Sequence, residues 1–269
     1  MAGSAHPGQH ASVNGLSMYY EIHGEGQPLV LLHGALSAIG TSFGKLLPDL
    51  AIHRKVIAVE MQGHGHTADI ERPLRYEWLA DDIAALLAQI GIETADLFGW
   101  SLGAGVALQT AMRHPERVRK LVLASVTYNS GGLYPELLAG IDLATPEDLA
   151  GTPFYEEYTR IAPHPEDFPR LFARQQELDR EQQNWPAEAI RAITAPALLI
   201  IGDSDIVRPE HTVELFRLLG GGVAGDLVGL PRSQLAVLPG TTHVTLVERA
   251  SWLVSMVNRF LDLPMPAAR

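Results

Sequence analysis

Short apolar runs alternate with helical segments along most of this chain, and this alternation limits the fold more than any other feature of the sequence. Several runs are apolar at every position, which is typical of strands buried on both faces of a parallel sheet. Helices must then cover both faces, so the pattern predicts an α/β fold with a doubly wound, mostly parallel sheet. The predicted strands are Leu16 to His23, Leu29 to Leu32, Lys55 to Val59, Ala95 to Phe98, Lys120 to Ala124, Ala197 to Ile201 and Gln234 to Leu238.

One region interrupts this alternation. Residues 128–185 contain no strand-like run, but they hold many prolines and scattered aromatic side chains. We interpret them as a helical lid insertion in a single core that comprises residues 13–127 and 186–265. The insertion follows a strand at the carboxyl edge of the sheet, where open α/β sheets bind ligands, so it is predicted to cover that site. Residues 1–12 are expected to be a disordered lead that contributes nothing to the fold.

The composition argues against several classes of function. A net charge of −11 disfavours binding to nucleic acid or to an anionic membrane surface. The sequence contains no cysteine, so it offers no thiol nucleophile and no zinc–thiolate site, and we expect neither a cofactor nor a metal. Its apolar runs are too short to cross a membrane and its first residues lack a signal-peptide pattern, so we expect a cytoplasmic monomer or homodimer.

The residues Gly99-Trp100-Ser101-Leu102-Gly103 lie between a predicted strand and a predicted helix. In that context the pattern G-x-S-x-G is typical of a nucleophile elbow, a tight turn that exposes a serine above the sheet. Its glycines allow the strand and the helix to approach closely. Ser101 is therefore a candidate nucleophile, and the alternative is a serine in a glycine-rich packing turn.

A serine hydroxyl needs a base to accept its proton and an acid to orient that base. Downstream of Ser101, Asp203 and Asp205 follow one predicted strand and His243 follows the next. Parallel strands end at the same edge of a sheet, so these side chains are predicted to lie near the serine. The order Ser, Asp, His along the chain is that of the α/β-hydrolase arrangement, and either aspartate is a candidate for the acid.

Several motifs accompany the elbow. They are His33-Gly34-Ala35, Gly63-His64-Gly65, Gly202-x-x-Asp205 and Gly240-x-x-His243. Together they make the chain resemble the α/β-hydrolase superfamily over roughly residues 13–263. The resemblance implies that Asp205 is the acid and Asp203 a turn residue. It also implies an oxyanion hole made by the backbone N–H groups of Ala35 and Leu102, with a structural role for His33.

The turn after the third predicted strand departs from that family. Relatives often have D-x-x-G-x-G-x-S there, whereas this chain has glutamate at position 60 and threonine at position 67. His64 and His66 flank the second glycine of this turn. Two histidines with no third ligand nearby are weak support for zinc, so we predict a structural turn. The sequence leaves open whether either histidine contacts the substrate.

These features predict a serine hydrolase that cleaves a small to medium, largely apolar carboxylic ester or lactone through an acyl-enzyme intermediate. A carbon–carbon bond hydrolase or a cofactor-free perhydrolase would use the same serine, and a ligand-binding sensor on a hydrolase scaffold is the alternative from another class. Arg160, Arg170 and Arg174 are predicted to be solvated helix charges. The predicted pocket residues are Trp100, Leu36, Tyr128, Phe154, Tyr158, Val207 and Val244.

Overall fold

A mixed sheet of eight strands forms the centre of the protein. The structure is a computed structural model that describes residues 8–141, 143–181 and 183–265, without the side chain of Leu138. Its strands are β1 (Gln9–Val13), β2 (Leu16–His23), β3 (Gln27–Leu32), β4 (Arg54–Val59), β5 (Ala95–Trp100), β6 (Val118–Ala124), β7 (Ala197–Ser204) and β8 (Gln234–Thr242). Every strand predicted from an apolar run is present, and the fold class predicted from the sequence is confirmed.

The strand order places the ends of several parallel strands side by side. The order is β1-β2-β4-β3-β5-β6-β7-β8. Strands β1 and β2 pair antiparallel with each other, β2 pairs antiparallel with β4, and the remaining pairs are parallel. The carboxyl ends of β5, β6, β7 and β8 therefore meet at one edge of the sheet, and the loops that leave these strands lie together.

Helices cover both faces of the sheet. They are α1 (Ile39–Phe43), α2 (Leu47–Leu50), α3 (Tyr76–Gln89), α4 (Leu102–Arg113), α5 (Pro135–Ile141), α6 (Pro153–Ile161), α7 (Phe168–Glu181), α8 (Ala187–Arg191), α9 (Pro209–Leu218), α10 (Gly225–Val228) and α11 (Ala250–Asp262). Short 3-10 turns occur at Pro115–Arg117, Ser130–Gly132, Pro146–Leu149 and Pro165–Asp167. Within the described ranges, no helix combines the length and the apolar character that a membrane span requires.

The core consists of two apolar layers, one on each face of the sheet. Successive side chains of a strand point to opposite faces, so Val30 and Leu32 of β3 belong to one layer and Leu29 and Leu31 to the other. All of these side chains are fully buried. Helices α3 and α4 pack into the first layer, and α1 and α11 pack into the second. Burial of both faces explains why the strands are apolar at consecutive positions.

The sheet begins earlier than the sequence predicted, because residues 9–12 of the expected disordered lead belong to β1. This strand pairs with β2 across a two-residue turn in which Asn14 and Gly15 both have positive φ. That backbone geometry favours Asn-Gly, a strong signal for a hairpin. Only Ala11 and Val13 of the strand are buried, so its composition resembles that of a polar lead. Residues 1–7 lie outside the described residues.

The described residues of the predicted lid insertion contribute no strand to the sheet. It holds α5, α6 and α7, and its two ends meet where the Trp185 N–H donates to the carbonyl oxygen of Tyr128 at 3.0 Å. Helix α7 is tied to the loop after β4 by Arg170 and Arg174, whose Nε atoms both lie 2.9 Å from Oδ2 of Asp69. These arginines were predicted to be solvated, but Asp69 pairs with both, and Arg174 is largely buried.

Candidate active site

Ser101 is held in a backbone conformation that few side chains adopt. Its φ is 54° and its ψ is −117°, and it directly precedes helix α4. Glycines on both sides make the sharp turn possible. A Cβ at Gly99 would lie 2.2 Å from the carbonyl oxygen of Gly103, and a Cβ at Gly103 would lie 2.0 Å from that of Leu32. The pattern G-x-S-x-G therefore has a steric cause, and the strain at Ser101 is of the kind stored at functional sites.

The three side chains predicted to form a triad lie in hydrogen-bond contact. Nε2 of His243 lies 2.9 Å from Oγ of Ser101, and Nδ1 of His243 lies 2.8 Å from Oδ1 of Asp205. Strands β5, β7 and β8 position them, since Ser101 follows β5, Asp205 follows β7 and His243 follows β8. A nucleophile, a base and an orienting acid within such distances can carry out nucleophilic catalysis.

Asp205 is almost fully buried, and hydrogen bonds stabilise its negative charge. Its Oδ1 accepts the Val207 N–H at 3.1 Å in addition to His243, and its Oδ2 accepts the Ser125 hydroxyl at 2.5 Å. Burial alone would raise the pKa of Asp205, but the bonds from His243, Ser125 and Val207 hold that pKa below its usual value. The carboxylate therefore stays ionised, as stabilisation of an imidazolium requires. Ser125 was missed from the sequence, although it directly follows β6 at the same sheet edge.

Asp203 has a different position. Its side chain is exposed, and its two carboxylate oxygens accept the N–H groups of Gly240 and Thr241 at 3.0 and 3.1 Å. These backbone bonds lower the pKa of Asp203. The residue joins the end of β7 to the end of β8, which is the turn role that the resemblance implied, and it makes no hydrogen bond to His243 among the described residues.

The predicted oxyanion donors lie on two segments beside the serine. Leu102 opens helix α4, where the first N–H groups have no acceptor within the helix. Ala35 follows β3, and both residues line the cavity that contains Ser101. The next residue, Leu36, has a positive φ of 55°, and its N–H donates to Nε2 of His64 at 3.1 Å. Because both residues line this cavity, their N–H groups are candidates to bind a negatively charged oxygen there.

His33 and His64 form hydrogen bonds that hold the loop after β3 in place. Nε2 of His33 accepts the Met61 N–H at 3.0 Å, and Nδ1 of His64 bonds the carbonyl oxygen of Gln62 at 2.9 Å. Burial lowers the pKa of His33 to about 3 and that of His64 to about 4, so both are neutral. His66 instead bonds the buried Glu60. Neither His64 nor His66 lines the cavity beside Ser101.

That cavity has a volume of about 340 Å³. Its lining is mostly apolar, and among the described residues that line it none is a lysine or arginine. The lining residues are Ala35, Leu36, Tyr76, Trp100, Ser101, Leu102, Ser125, Thr127, Leu133, Leu137, Ile141, Leu149, Phe154, Gln175, Asp179, Gln183, Ile206, Val207, His243 and Val244. A pocket of this size and character suits a small or medium apolar molecule.

Five of the seven predicted pocket residues line this cavity, namely Leu36, Trp100, Phe154, Val207 and Val244. The predictions for Tyr128 and Tyr158 were wrong. The Tyr128 ring stacks on His211 and its hydroxyl donates to Glu214, so its side chain is directed towards α9. The Tyr158 ring packs edge-on against Phe168 inside the lid.

The polar residues on the lid side of the cavity were not predicted from the sequence. Gln175 and Asp179 are on α7, and Gln183 follows that helix. The first two are one helical turn apart, a spacing that the sequence displays. The direction in which that face points depends on how α7 docks, and the sequence offered no signal for this.

Comparison with known proteins places this site in a family context. The sequence profile of the α/β hydrolase fold matches residues 27–250. The chain is similar to a 2-hydroxymuconate semialdehyde hydrolase of Pseudomonas sp. (strain CF600), with 31% identity and coverage of 88% of each chain. It is also similar to a pimeloyl-acyl-carrier-protein methyl ester esterase of Aeromonas hydrophila, with 28% identity over 91% of this chain and 100% of the relative. The enol-lactonase structure from Burkholderia xenovorans LB400 has the same fold, with a TM-score of 0.71, 21% identity and coverage of 94% of this chain and 100% of that one.

Proposed function

We propose, from the premise that this chain belongs to the α/β-hydrolase family and is a hydrolase, that it cleaves a small to medium, largely apolar carboxylic ester or lactone through an acyl-enzyme intermediate. The observation that carries this proposal is the contact chain from Ser101 through His243 to Asp205, with distances of 2.9 and 2.8 Å. The cavity beside this chain supports a largely apolar substrate without negative charge, because its lining is mostly apolar and its described residues include no lysine or arginine.

In the first half of the reaction, Oγ of Ser101 attacks the carbonyl carbon while Nε2 of His243 takes the hydroxyl proton. The carbonyl oxygen becomes an oxyanion, which the N–H groups of Ala35 and Leu102 stabilise. The ionised Asp205 stabilises the imidazolium that forms. The intermediate then collapses, the alcohol oxygen leaves with the proton from His243, and an acyl ester remains on the serine.

In the second half, His243 removes a proton from water and the resulting hydroxide attacks the acyl carbon. A second oxyanion forms at the same two N–H groups. Its collapse releases the carboxylic acid, and His243 returns the proton to Oγ of Ser101. For a lactone the alcohol and the acid belong to one molecule, so the alcohol stays attached until this step.

Cleavage of a carbon–carbon bond is the second candidate, because one relative with 31% identity is named as a semialdehyde hydrolase. The name of that relative's substrate denotes a carboxylate. Here the cavity lining includes the carboxyl group of Asp179 and no lysine or arginine among its described residues. An anionic substrate would meet like charge in a partly desolvated site, which disfavours this candidate for a substrate of that kind.

Pure wild-type protein and Ser101→Ala should be compared on p-nitrophenyl esters, lactones and ring-cleavage diketones. We expect ester or lactone turnover that falls about 10⁴- to 10⁶-fold in the variant. A fluorophosphonate probe should label Ser101 in the wild type alone, as measured by intact mass and peptide mapping. Turnover of diketones alone would favour carbon–carbon cleavage. Absence of labelling would favour the sensor alternative, and near-full esterase activity of Ser101→Ala would refute the assignment of the nucleophile.

A further inference from the structure

The lid side of the cavity contains polar side chains that the proposed reaction does not use. Gln175 and Asp179 lie four residues apart on α7 and both line the cavity that contains Ser101. Gln175 is 5% exposed and Asp179 is partly buried. The rest of the buried face of this helix is apolar, with Phe168, Leu171, Phe172 and Leu178. Two polar groups on such a face require a reason, because burying them without partners costs free energy.

Their hydrogen bonds are incomplete. Nε2 of Gln175 donates to Oδ1 of Asp179 at 2.9 Å, which leaves Oε1 of Gln175 buried with no hydrogen-bond partner in the part of the chain that the structure describes. Asp179 has no ion pair among the described residues. Burial raises the pKa of Asp179 to about 6, so near pH 7 it is mostly ionised in a poorly solvated site. The unmet capacity of this pair is therefore that of a hydrogen-bond acceptor.

Asp179 lies where the main cavity extends away from the triad. A second, smaller cavity adjoins the main one, and the two share Tyr76, Thr127, Leu133, Asp179 and Gln183. No triad residue lines this smaller cavity. Asp179 therefore faces the portion of a bound molecule that is remote from the reacting carbonyl.

Two of the neighbouring polar side chains bond each other. The Thr127 hydroxyl donates to Oε1 of Gln183 at 2.6 Å. Tyr76, from α3, is the titratable group that faces Asp179 from the neighbouring helix, and burial raises the pKa of that phenol. Neither side chain neutralises Asp179. A ligand that enters this end of the cavity can supply the donors that Asp179 lacks.

We propose that Asp179 and Gln175 form a specificity subsite for a substrate whose remote end carries an O–H or N–H donor, either a hydroxyl or an ammonium group. This inference rests on the proposed hydrolase function and identifies the substrate class. The Asp179 carboxylate accepts the donor and Gln175 holds that carboxylate in place through its Nε2–H, while the apolar walls hold the chain between the donor and the scissile bond. A remote carboxylate is rejected, because it would meet the charge of Asp179 without a counter-ion.

The experiment compares three matched ester series at about pH 7.5, ending in a methyl, a hydroxyl or an ammonium group. The terminal group is carried on the acyl chain in one arm and on the alcohol in the other, since either portion can extend to the subsite. In the arm whose terminal group reaches the subsite, we expect kcat/KM of the ammonium ester to exceed that of the methyl ester by about 10- to 100-fold. This is the size expected for a hydrogen bond to a charged group. The hydroxyl ester should show a preference of about 2- to 10-fold.

Three variants test which residues cause the preference. Asp179→Asn should abolish most of the ammonium preference, and Gln175→Leu should reduce both preferences. Turnover of the methyl ester is measured in each variant and serves as the reference for these ratios. The matched control is Glu177→Gln, which changes an exposed carboxylate on the same helix and should preserve all ratios. Absence of a preference in both arms, or a preference that Asp179→Asn leaves intact, would overturn the proposal.

Failure of the hydrolase function gives a different result. Turnover of the methyl series reports on that function, whereas the ratio between series reports on the subsite. If no ester is turned over, calorimetry with hexylamine, hexan-1-ol and hexane tests the subsite directly in wild type and Asp179→Asn. Preferential binding of the amine that the variant loses would support the subsite. Equal binding in the two proteins would refute it.

Discussion

Two aspartates lie beside the proposed reaction site, and they differ in how many hydrogen bonds their carboxylates accept. Asp205, in the loop after β7, accepts hydrogen bonds from His243, Ser125 and the Val207 N–H. Asp179, on lid helix α7, accepts one from Gln175. The pKa of Asp205 is lowered and that of Asp179 is raised. The loops at the sheet edge thus satisfy their carboxylate, whereas the lid leaves its carboxylate incompletely satisfied.

This difference suggests a division of roles between the sheet and the lid. An acid that orients a catalytic base must stay ionised and fixed, so complete hydrogen bonding favours its function. A group that binds a substrate must keep acceptor capacity free until the substrate arrives, at a cost to the stability of the empty protein. In our proposal, the sheet edge determines the reaction and the lid determines which molecule enters it.

Asp205→Asn tests the sheet side of this comparison and has the largest expected effect. An amide at this position can no longer stabilise the imidazolium and can hold the wrong tautomer of His243. We expect kcat to fall about 10⁴-fold with the fold intact. The matched control is Asp203→Asn, two residues away, whose carboxylate holds a turn. Steady-state kinetics should show a few-fold effect at most for Asp203→Asn, and equal losses in both variants would contradict the assignment of the acid.

The stability of Asp179→Asn tests the lid side. Because the pKa of Asp179 is about 6 when folded and near 4 when unfolded, the ionised form destabilises the fold above pH 6. The cost disappears below about pH 4, where the group is protonated in both states. We expect the free energy of unfolding of Asp179→Asn to exceed that of wild type by up to about 2–3 kcal/mol near pH 7.5.

Urea denaturation at several pH values measures this difference. The gap between Asp179→Asn and wild type should close as the pH falls from 6 to 4. Glu177→Gln, on the exposed face of the same helix, should show no such pH dependence. If Asp179→Asn were less stable than wild type at pH 7.5, a partner would have to stabilise the Asp179 carboxylate in the folded protein. That carboxylate would then not be a group held ready for a substrate at a cost in stability.

Ser125→Ala weakens the sheet site by a smaller amount. It removes one of the donors to Asp205, so the carboxylate orients His243 less firmly. We expect kcat to fall roughly tenfold with little change in KM, the size of a single hydrogen bond to a charged group. Ser125 has a positive φ of 53°, which glycine adopts without strain. Ser125→Gly therefore removes the hydroxyl without leaving a side chain strained at this position. The two variants should lose similar activity, and an unaffected glycine variant would point to strain instead.

Much of the sheet side could be predicted from the sequence because its signals are local. Each predicted strand is an apolar run, and Ser101, Asp205 and His243 each follow such a run within a short glycine motif. The parallel order of the strands then brings these positions to one edge. Strand β1 was missed, although Val13-Asn14-Gly15-Leu16 carried a hairpin signal in its central pair.

The lid side could not be predicted in the same way. Of the aromatic residues of the insertion that were expected to face the substrate, Phe154 lines the cavity, whereas Tyr128 and Tyr158 do not. The cavity also meets Gln175 and Asp179. Which face of α7 turns inward depends on its docking to the loop after β4 through Asp69. That contact joins residues about one hundred positions apart, and neither end has a pattern that identifies the other. Docking of this kind is a tertiary property.

Arg170→Gln tests this docking and has the smallest expected effect. Arg170 contacts Asp69 and the exposed Glu71, and its own side chain is 38% exposed, so its loss should lower stability by less than about 1 kcal/mol. Arg174→Gln removes a more buried contact to the same carboxylate and should cost more. Limited proteolysis within the lid should be accelerated in the order Arg174→Gln, Arg170→Gln, wild type.

Salt distinguishes the two contacts further. Screening weakens exposed pairs more than buried ones, so the difference between Arg170→Gln and wild type should shrink at high ionic strength while that of Arg174→Gln persists. Since α7 carries the proposed subsite, Arg174→Gln should also reduce the preference for a remote ammonium group while Ser101 remains reactive towards a fluorophosphonate. Loss of that reactivity would mean that the lid and the sheet edge form one cooperative unit, and the division of roles between them would be wrong.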